Sequence, residues 1–461
     1  MPTPRLFLAA LAAGVLTSCT TYHSKDLNPA HTQAQFENRS LRDPGLLKFL
    51  AEHDQPAAPE WDLAQFTLAA FYFNPDLDVS RAQLAVAGAG IRTAGARPNP
   101  KLNFTPGYNQ DASGGVTPWI LGYAIDLPLE LAGQRGHRLA EARQQTEAAR
   151  LGLAATAWSV RSSVRRALAE LHAAEEAAAL WRDQQPVLTK AAELVEAQVR
   201  AGEVSPLEAS RARIALNRAE LAARESNRVA ASARSRLAEA VGIPLSAMAD
   251  VRIDYRGLAE PSAPVAPAEA RNWAAQNRAD LLAALADYAA TQAALQGEIA
   301  RQYPDFSIGP GYQLDQGEGK WSLGLNLTLP VFNQNQGPIA AAQARREASG
   351  LRFIALQARV LAEVDRAAAD YASALGDLET VKTMRTNLTQ QAKTVRAQQK
   401  AGEISRLELA QAQIELADNS RAELEARVRS ELALGAFEDA VQRPLAWPEP
   451  TWRDSTRTAT P

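Results

Sequence analysis

Two glutamates stand in almost the same eight-residue phrase: Glu208 in AGEVSPLE, beginning at Ala201, and Glu408 in AGEISRLE, beginning at Ala401. They lie 408 − 208 = 200 positions apart. Each follows a serine, Ser205 or Ser405, by three residues. That is the spacing of a capping box, in which the serine oxygen takes the N–H of the third residue and the carboxylate returns to the serine's own N–H. Little else invites chemistry. The five histidines, His23, His31, His53, His137 and His172, have no ligand partner at zinc-like spacing, so no metal site is expected. GEGK at Gly317–Lys320 lacks the upstream glycine of a P-loop, and no GxSxG elbow occurs. Neither an enzyme nor a cofactor is expected.

The elements that carry the two phrases are themselves written twice. EAVGIPL (Glu239–Leu245) matches DAVQRPL (Asp439–Leu445) at the same spacing. LGYAIDLP from Leu121 matches LGLNLTLP from Leu323, 323 − 121 = 202 apart, and PNPKLNFTPGY matches QYPDFSIGPGY with 312 − 108 = 204. Loops vary in length and elements do not. The chain therefore reads as repeat one, 62–245, and repeat two, 269–445, joined by a proline-rich linker within 246–268. Each repeat opens with a helix, Pro75–Ala96 or Pro267–Ala300, and continues with two strands. A long helix follows, His137–Arg200 or Pro338–Lys400, ended by Gly202 or Gly402 at a tip, 201–206 or 401–406. A second helix then runs to about Val241 or Val441. Pro186 predicts a bend in the first long helix. The shorter helix is expected to stack end to end on the short helix of the other copy, making a tall antiparallel coiled-coil wall.

The strands, about 101–112, 118–128, 304–315 and 320–330, alternate with period two. Trp321, Leu323, Leu325, Leu327 and Leu329 interleave with Ser322, Gly324, Asn326 and Thr328. One face is apolar and the other small and polar, which fits a bilayer outside and water inside, at roughly the 9–11 residues that cross a membrane. A small soluble sheet covered by helices is the other reading. Tyr108, Trp119, Tyr312 and Trp321 fall near strand ends, where interfacial aromatics belong. An open sheet edge in hydrocarbon leaves backbone groups unpaired. Four strands are too few to close a barrel, so several chains must share one; three would give twelve strands around a water-wide lumen.

The N-terminus has a basic residue, Arg5, an apolar run Leu6–Leu16 and then Thr17-Ser18-Cys19, which predicts a signal peptide over 1–18 and resembles a bacterial lipobox. The resemblance implies lipidation, with palmitate, at Cys19; the alternative is an incidental cysteine. Cys19 is the one cysteine in the chain, so it forms no internal disulfide. The segment 19–61 and the tail 446–461 read as polar and irregular. Net charge is −3, with 49 basic and 52 acidic residues and no basic block, which argues against nucleic acid. Hydrophobic residues are 46% but aromatics only 6%, the alanine- and leucine-rich composition of long packed helices.

The lipobox, the doubled unit, NPDL (Asn74–Leu77), PNPKL, YPDFSIGPGY and the paired tips together resemble the TolC family of bacterial outer-membrane efflux channels. LPLELAGQRGHR (Leu127–Arg138) and LPVFNQNQGPI (Leu329–Ile339) are similar to its heavy-metal, CzcC-like branch. The resemblance implies a mostly α fold with a small membrane β part. It further implies a homotrimer forming a twelve-stranded barrel and a periplasmic tunnel, lipid-anchored in the outer membrane. A periplasmic adaptor and an inner-membrane pump of the resistance-nodulation-division (RND) type would complete the system, with metal cations a candidate cargo. In such channels acidic residues one and two turns past the tip glycine close the tunnel. Here Glu408 and Gln411 hold those places in repeat two, and Glu208 and Arg211 in repeat one. A carboxylate ring would favour cations; capping alone is the other role open to both glutamates. Gly202, Ser205, Leu207, Gly402, Ser405 and Leu407 would meet the adaptor. A helical periplasmic scaffold without a pore is the competing function.

Overall fold

A computed structural model describes residues 21–56, 58–258 and 266–445. The signal segment, Cys19, most of the proline-rich connector and the tail 446–461 lie outside the described residues.

The chain is mostly helical. Repeat one comprises α3 (Leu63–Phe73), α4 (Pro75–Gly95), β2 (Lys101–Tyr108), β3 (Trp119–Leu129), α5 (Gln134–Arg200) and α6 (Pro206–Val241). Repeat two matches it with α7 (Pro267–Asn277), α8 (Ala279–Ala300), β5 (Phe306–Asp315), β6 (Glu318–Leu327), α9 (Gln336–Ala401) and α10 (Arg406–Val441). Ahead of them come α1 (Pro29–Glu37), α2 (Pro44–Glu52) and a two-residue β1 (Glu60–Trp61), which pairs in parallel with β4 (Arg252–Ile253). The expectation of an irregular segment before residue 62 is therefore corrected. Asn28 and Asp43 cap α1 and α2, each followed by a proline at the first helical position.

Each repeat sets two short helices against one long one. α5 and α9, of 67 and 66 residues, span about 100 Å at 1.5 Å per residue. α5 runs on through Pro186. Their buried positions correspond at the same offset: Val160 and Val360, Val164 and Val364, Leu171 and Tyr371, Ala174 and Ala374. The valines, Leu171 and Tyr371 lie in two apolar clusters at mid-height, one with Phe66, Leu237 and Val241, the other with Leu281, Phe437 and Val441. The mass of apolar side chains is there because the short helices meet there.

The junctions differ from expectation in two ways. Pro267–Ala300 is two helices broken at Arg278, not one. And each stack is made within one repeat, not between repeats. The Asn74 side chain donates to the carbonyl of Ala240 at the end of α6 at 3.1 Å. Arg278, its counterpart, donates to Ala440 at the end of α10 at 2.8 Å. Both ladders of unsatisfied helix carbonyls are thus closed by the residue that starts the next short helix. Arg39 fastens the first joint, bonding the carbonyls of Phe73 at 2.9 Å and Gly242 at 2.7 Å. Gly242 has φ +83, and a Cβ there would lie 2.9 Å from the Phe73 oxygen, so the joint needs glycine.

Candidate channel wall and helical tips

The four long strands form one antiparallel sheet, ordered β2-β3-β5-β6. Three of them are shorter than the sequence expectation and one is shifted by a residue: 101–112 ends at Tyr108, 304–315 begins at Phe306, 320–330 becomes Glu318–Leu327, and 118–128 becomes Trp119–Leu129. Pro106 and Pro310 sit within strands, and β2 and β6 are the edges, each with one unpaired side. The apolar face is bare in the single chain: Leu102 is 72% exposed, Leu325 68% and Trp321 82%. The opposite face carries Gly122, Gly309, Gly311 and Gly324 among Asn, Ser and charged residues, with Lys101 across from Asp126 and Lys320 bonded to Asp315 at 2.7 Å.

The register explains the aromatics. Tyr108 lies opposite Trp119 with ring centroids 5.1 Å apart, and Tyr312 opposite Trp321 at 4.9 Å. Tyr312 is also opposite Tyr123, and Tyr123 opposite Phe104. Phe104, Tyr123, Tyr312 and Trp321 therefore form one row across all four strands. The row depends on the β3–β5 register, which joins the two repeats and which period-two alternation within one strand does not reveal.

At the other end of the helices the two tips lie on the same side. α10 runs antiparallel along α5, Trp158 bonding Asp439 at 3.0 Å and Gln184 bonding Asp418 at 3.1 Å, so both hairpins point one way. Both long helices close alike. Glu203 N–H donates to Gln198 O at 2.9 Å and Glu403 N–H to Gln398 O at 3.0 Å, over Gly202 at φ +76 and Gly402 at φ +83. This is the Schellman closure, which needs a left-handed residue.

The next turns differ. Ser405 and Glu408 form the expected capping box, with Glu408 N–H to Ser405 Oγ at 3.1 Å and Ser405 N–H to Glu408 Oε2 at 2.7 Å. Ser205 makes no side-chain cap, and the expectation of a box there is corrected. Glu208 pairs with Arg211 at 2.8 Å instead. The Ser405 backbone N–H and hydroxyl hold the Glu408 carboxyl below the usual carboxylate range. Gln411 is exposed on α10, and Leu207 is exposed while Leu407 is half-buried.

Between tips and sheet, α5 and α10 share a charged seam. Arg161 reaches Glu438 at 3.3 Å, and Arg165 reaches the same Glu438 at 3.5 Å. Arg427 bonds Glu176, and Arg421 bonds Gln184 while lying 3.9 Å over the Trp181 ring. His172 stacks on Tyr255 at 4.4 Å and is held below the ordinary histidine range by burial. Among the described residues no cluster of three or more acidic, histidine or cysteine groups is arranged to hold a metal ion. Nor is any described helix long and apolar enough to cross a membrane.

The family of outer membrane efflux proteins matches residues 70–243 and 271–436, one match per repeat. The chain belongs to this family. Among curated relatives, the cobalt-zinc-cadmium resistance protein CzcC of Cupriavidus metallidurans is 26% identical over 271 residues, 58% of this chain and 63% of CzcC. The nickel-cobalt-cadmium resistance protein NccC of Alcaligenes xylosoxydans xylosoxydans is 26% identical over 307 residues, 64% of this chain and 66% of NccC. The chain thus matches just under two thirds of the length of these relatives. The outer-membrane channel OprN superposes with a TM-score of 0.68 at 20% identity, covering 92% of this chain and 98% of OprN, a likeness of fold. The efflux-protein fold accounts for the doubled helix-strand-strand-helix-helix order seen here.

Proposed function

We propose that the chain is the outer-membrane channel of a tripartite efflux system, a passive duct with no catalytic step. The observation that carries this is the sheet: two raw edges, β2 and β6, and one apolar face exposed on the same four strands. Hydrocarbon accepts the apolar face but not the unpaired edges, and water does not favour so large a bare apolar face. Three chains joined edge to edge close a twelve-stranded barrel, wide enough for water. The glycine-rich face lines it, and α5, α6, α9 and α10 continue it as a tunnel.

Metal cations are the cargo that the names of CzcC and NccC suggest. The Glu408 carboxylates of three chains, charged at neutral pH, would ring the tunnel mouth and favour cations; Gln411 stands one turn further on. Glu208, neutralised by Arg211, contributes less. The turns at Gly202, Ser205 and Leu207, and at Gly402, Ser405 and Leu407, offer exposed backbone and apolar side chains to a periplasmic adaptor, and an inner-membrane pump of RND type would supply the energy. Tyr108, Trp119, Tyr312 and Trp321 would meet the lipid headgroups, and Cys19 would carry the lipid anchor. Native mass spectrometry of the detergent-purified chain tests the assembly. Three chains per particle is the expected result; a monodisperse single chain that stays soluble without surfactant overturns it.

A further inference from the structure

α9 packs chiefly on α7, α8 and α10 of its own repeat, so the second helical hairpin is tied to repeat one through α10 lying along α5. Arg427 of α10 holds Glu176 of α5 across that seam through Nη2. Its Nε has no hydrogen-bond partner and stands 3.7 Å from Glu431 Oε1, one turn on along its own helix. Nε and Nη2 share one edge of the guanidinium, an edge that can grip a single carboxylate with two parallel bonds. Here that edge is split between two carboxylates on different helices.

Glu431 is 5% exposed, and neither of its side-chain oxygens accepts a hydrogen bond. A charge so placed is costly unless a donor reaches it. The neighbouring arginine is already engaged. Arg165 gives Nη1 to the Glu431 backbone carbonyl at 3.0 Å and turns Nε to Glu438 at 3.5 Å. A Cβ at position 435 would overlap the Arg165 guanidinium, so Gly435 is what admits it. On α5, His172 Nε2 faces Glu176 at 3.6 Å, while Glu175 takes the Tyr255 hydroxyl at 2.8 Å and Arg234 at 3.6 Å. From α9 come Asp377, bonded to Arg429 at 3.1 Å, and the buried Tyr371; α7 brings Ala270 and Ala274.

We propose that Glu431 is a proton-operated release for this clasp: uncharged, it leaves Arg427 to Glu176, and charged, it draws the whole edge of Arg427 onto its own helix and frees α10 from α5 at this level. Burial pushes the Glu431 carboxyl up to about 7 against the pull of Arg427 and Arg165, so both states are within reach near neutral pH. His172 is held below the ordinary histidine range by burial, so a step near 7 belongs to Glu431. The clasp is firm below that pH and loosens above it, the direction that a raised carboxyl pKa requires. Repeat one has no such release, because the matching places, 427 − 200 = 227 and 431 − 200 = 231, hold Asn227 and Ala231. All of these groups belong to one chain, so the release operates whether or not three chains assemble.

Hydrogen exchange of the full-length, detergent-purified chain tests this at about pH 6 and about pH 8.5, with rates corrected for the intrinsic pH dependence of amide exchange. In the parent, residues 168–180 of α5 and 424–434 of α10 should exchange about tenfold faster at the higher pH after that correction. Glu431→Gln should exchange alike at both. Glu176 is half-buried, and Glu176→Ala removes the acceptor across the seam, so that variant should exchange fast at both. Equal protection of the parent at the two pH values overturns the release, as does a step that survives in Glu431→Gln. A step in Glu176→Ala as large as the parent's overturns the part given to Arg427. Should Glu431→Gln not fold, the parent and Glu176→Ala decide the matter by the same outcomes.

Discussion

Glu408 accepts the Ser405 backbone N–H at 2.7 Å, while Glu208, in the matching place 200 residues earlier, turns away to Arg211 at 2.8 Å. Two tips with nearly the same sequence are therefore different electrostatic objects. One presents a charged carboxylate anchored to its own helix start, the other a neutralised pair. What separates them lies three residues on: Arg211 competes for the glutamate, and Gln411 does not.

Ser405→Ala should cost about 1 kcal/mol of local helix stability, the usual worth of a serine cap. Ser205→Ala should change little, since Ser205 caps nothing. Hydrogen exchange at the first turns of α6 and α10 reads both: faster exchange is expected in the Ser405 variant only.

Glu408→Gln should weaken cation preference in reconstituted channels, seen as a reversal potential moving toward zero in a salt gradient. Glu208→Gln should move it less. Because hydrogen bonds from Ser405 hold the Glu408 carboxyl low, the preference of the parent channel should survive mild acid and fade only below the ordinary carboxylate range. Equal effects from the two glutamates would contradict the difference between the tips.

Much of this was legible in the sequence because each boundary carried its own local marker. Gly202 and Gly402 end helices, Pro75 and Pro206 begin them, and period two marks the strands. The break at Arg278 was not legible. Its counterpart Asn74 is followed by Pro75, but Arg278 is followed by Ala279, and the break is held by bonds to distant groups, Ala440 O and Glu363. The α1 and α2 helices had their signals in Asn28-Pro29 and Asp43-Pro44, but each is only nine residues long, and α1 buries no side chain. The missing cap at Ser205 had its signal in Arg211. The row of four aromatics needed a register that no local pattern fixes.

Glu431 should make stability depend on pH. Its side chain is 5% exposed, neither carboxylate oxygen has a hydrogen-bond partner, and Arg427 Nε stands 3.7 Å away. Burial outweighs the pull of Arg427 and Arg165 and pushes its pKa up to about 7. The folded value lies above the unfolded one. The contribution is therefore full below the unfolded pKa and is lost as pH rises through about 7, by up to about 3 kcal/mol. Glu431→Gln should remove that loss, and thermal unfolding at about pH 5 and about pH 9 should show the variant less sensitive to pH than the parent.

Glu438→Ala should be among the most damaging helix substitutions. It strips the partner from Arg161 and the buried Arg165 and leaves Leu445 N–H without its 2.9 Å acceptor. A loss of about 3–5 kcal/mol is expected for breaking a buried ion pair on one side. Chemical denaturation measures it.

Leu325→Lys places a charge on the lipid face and should cost about 2–4 kcal/mol near the bilayer midplane, whereas Ser322→Lys, on the opposite face, should be tolerated. The yield of heat-resistant trimer from membranes compares the two.

The central claim is that this chain surrounds a water-filled path through a membrane, and planar-bilayer recording of the purified full-length protein tests it most directly. Discrete current steps that carry cations in preference to anions are the expected result. Flat traces from protein that is correctly folded and inserted would contradict the account and leave a helical scaffold in its place.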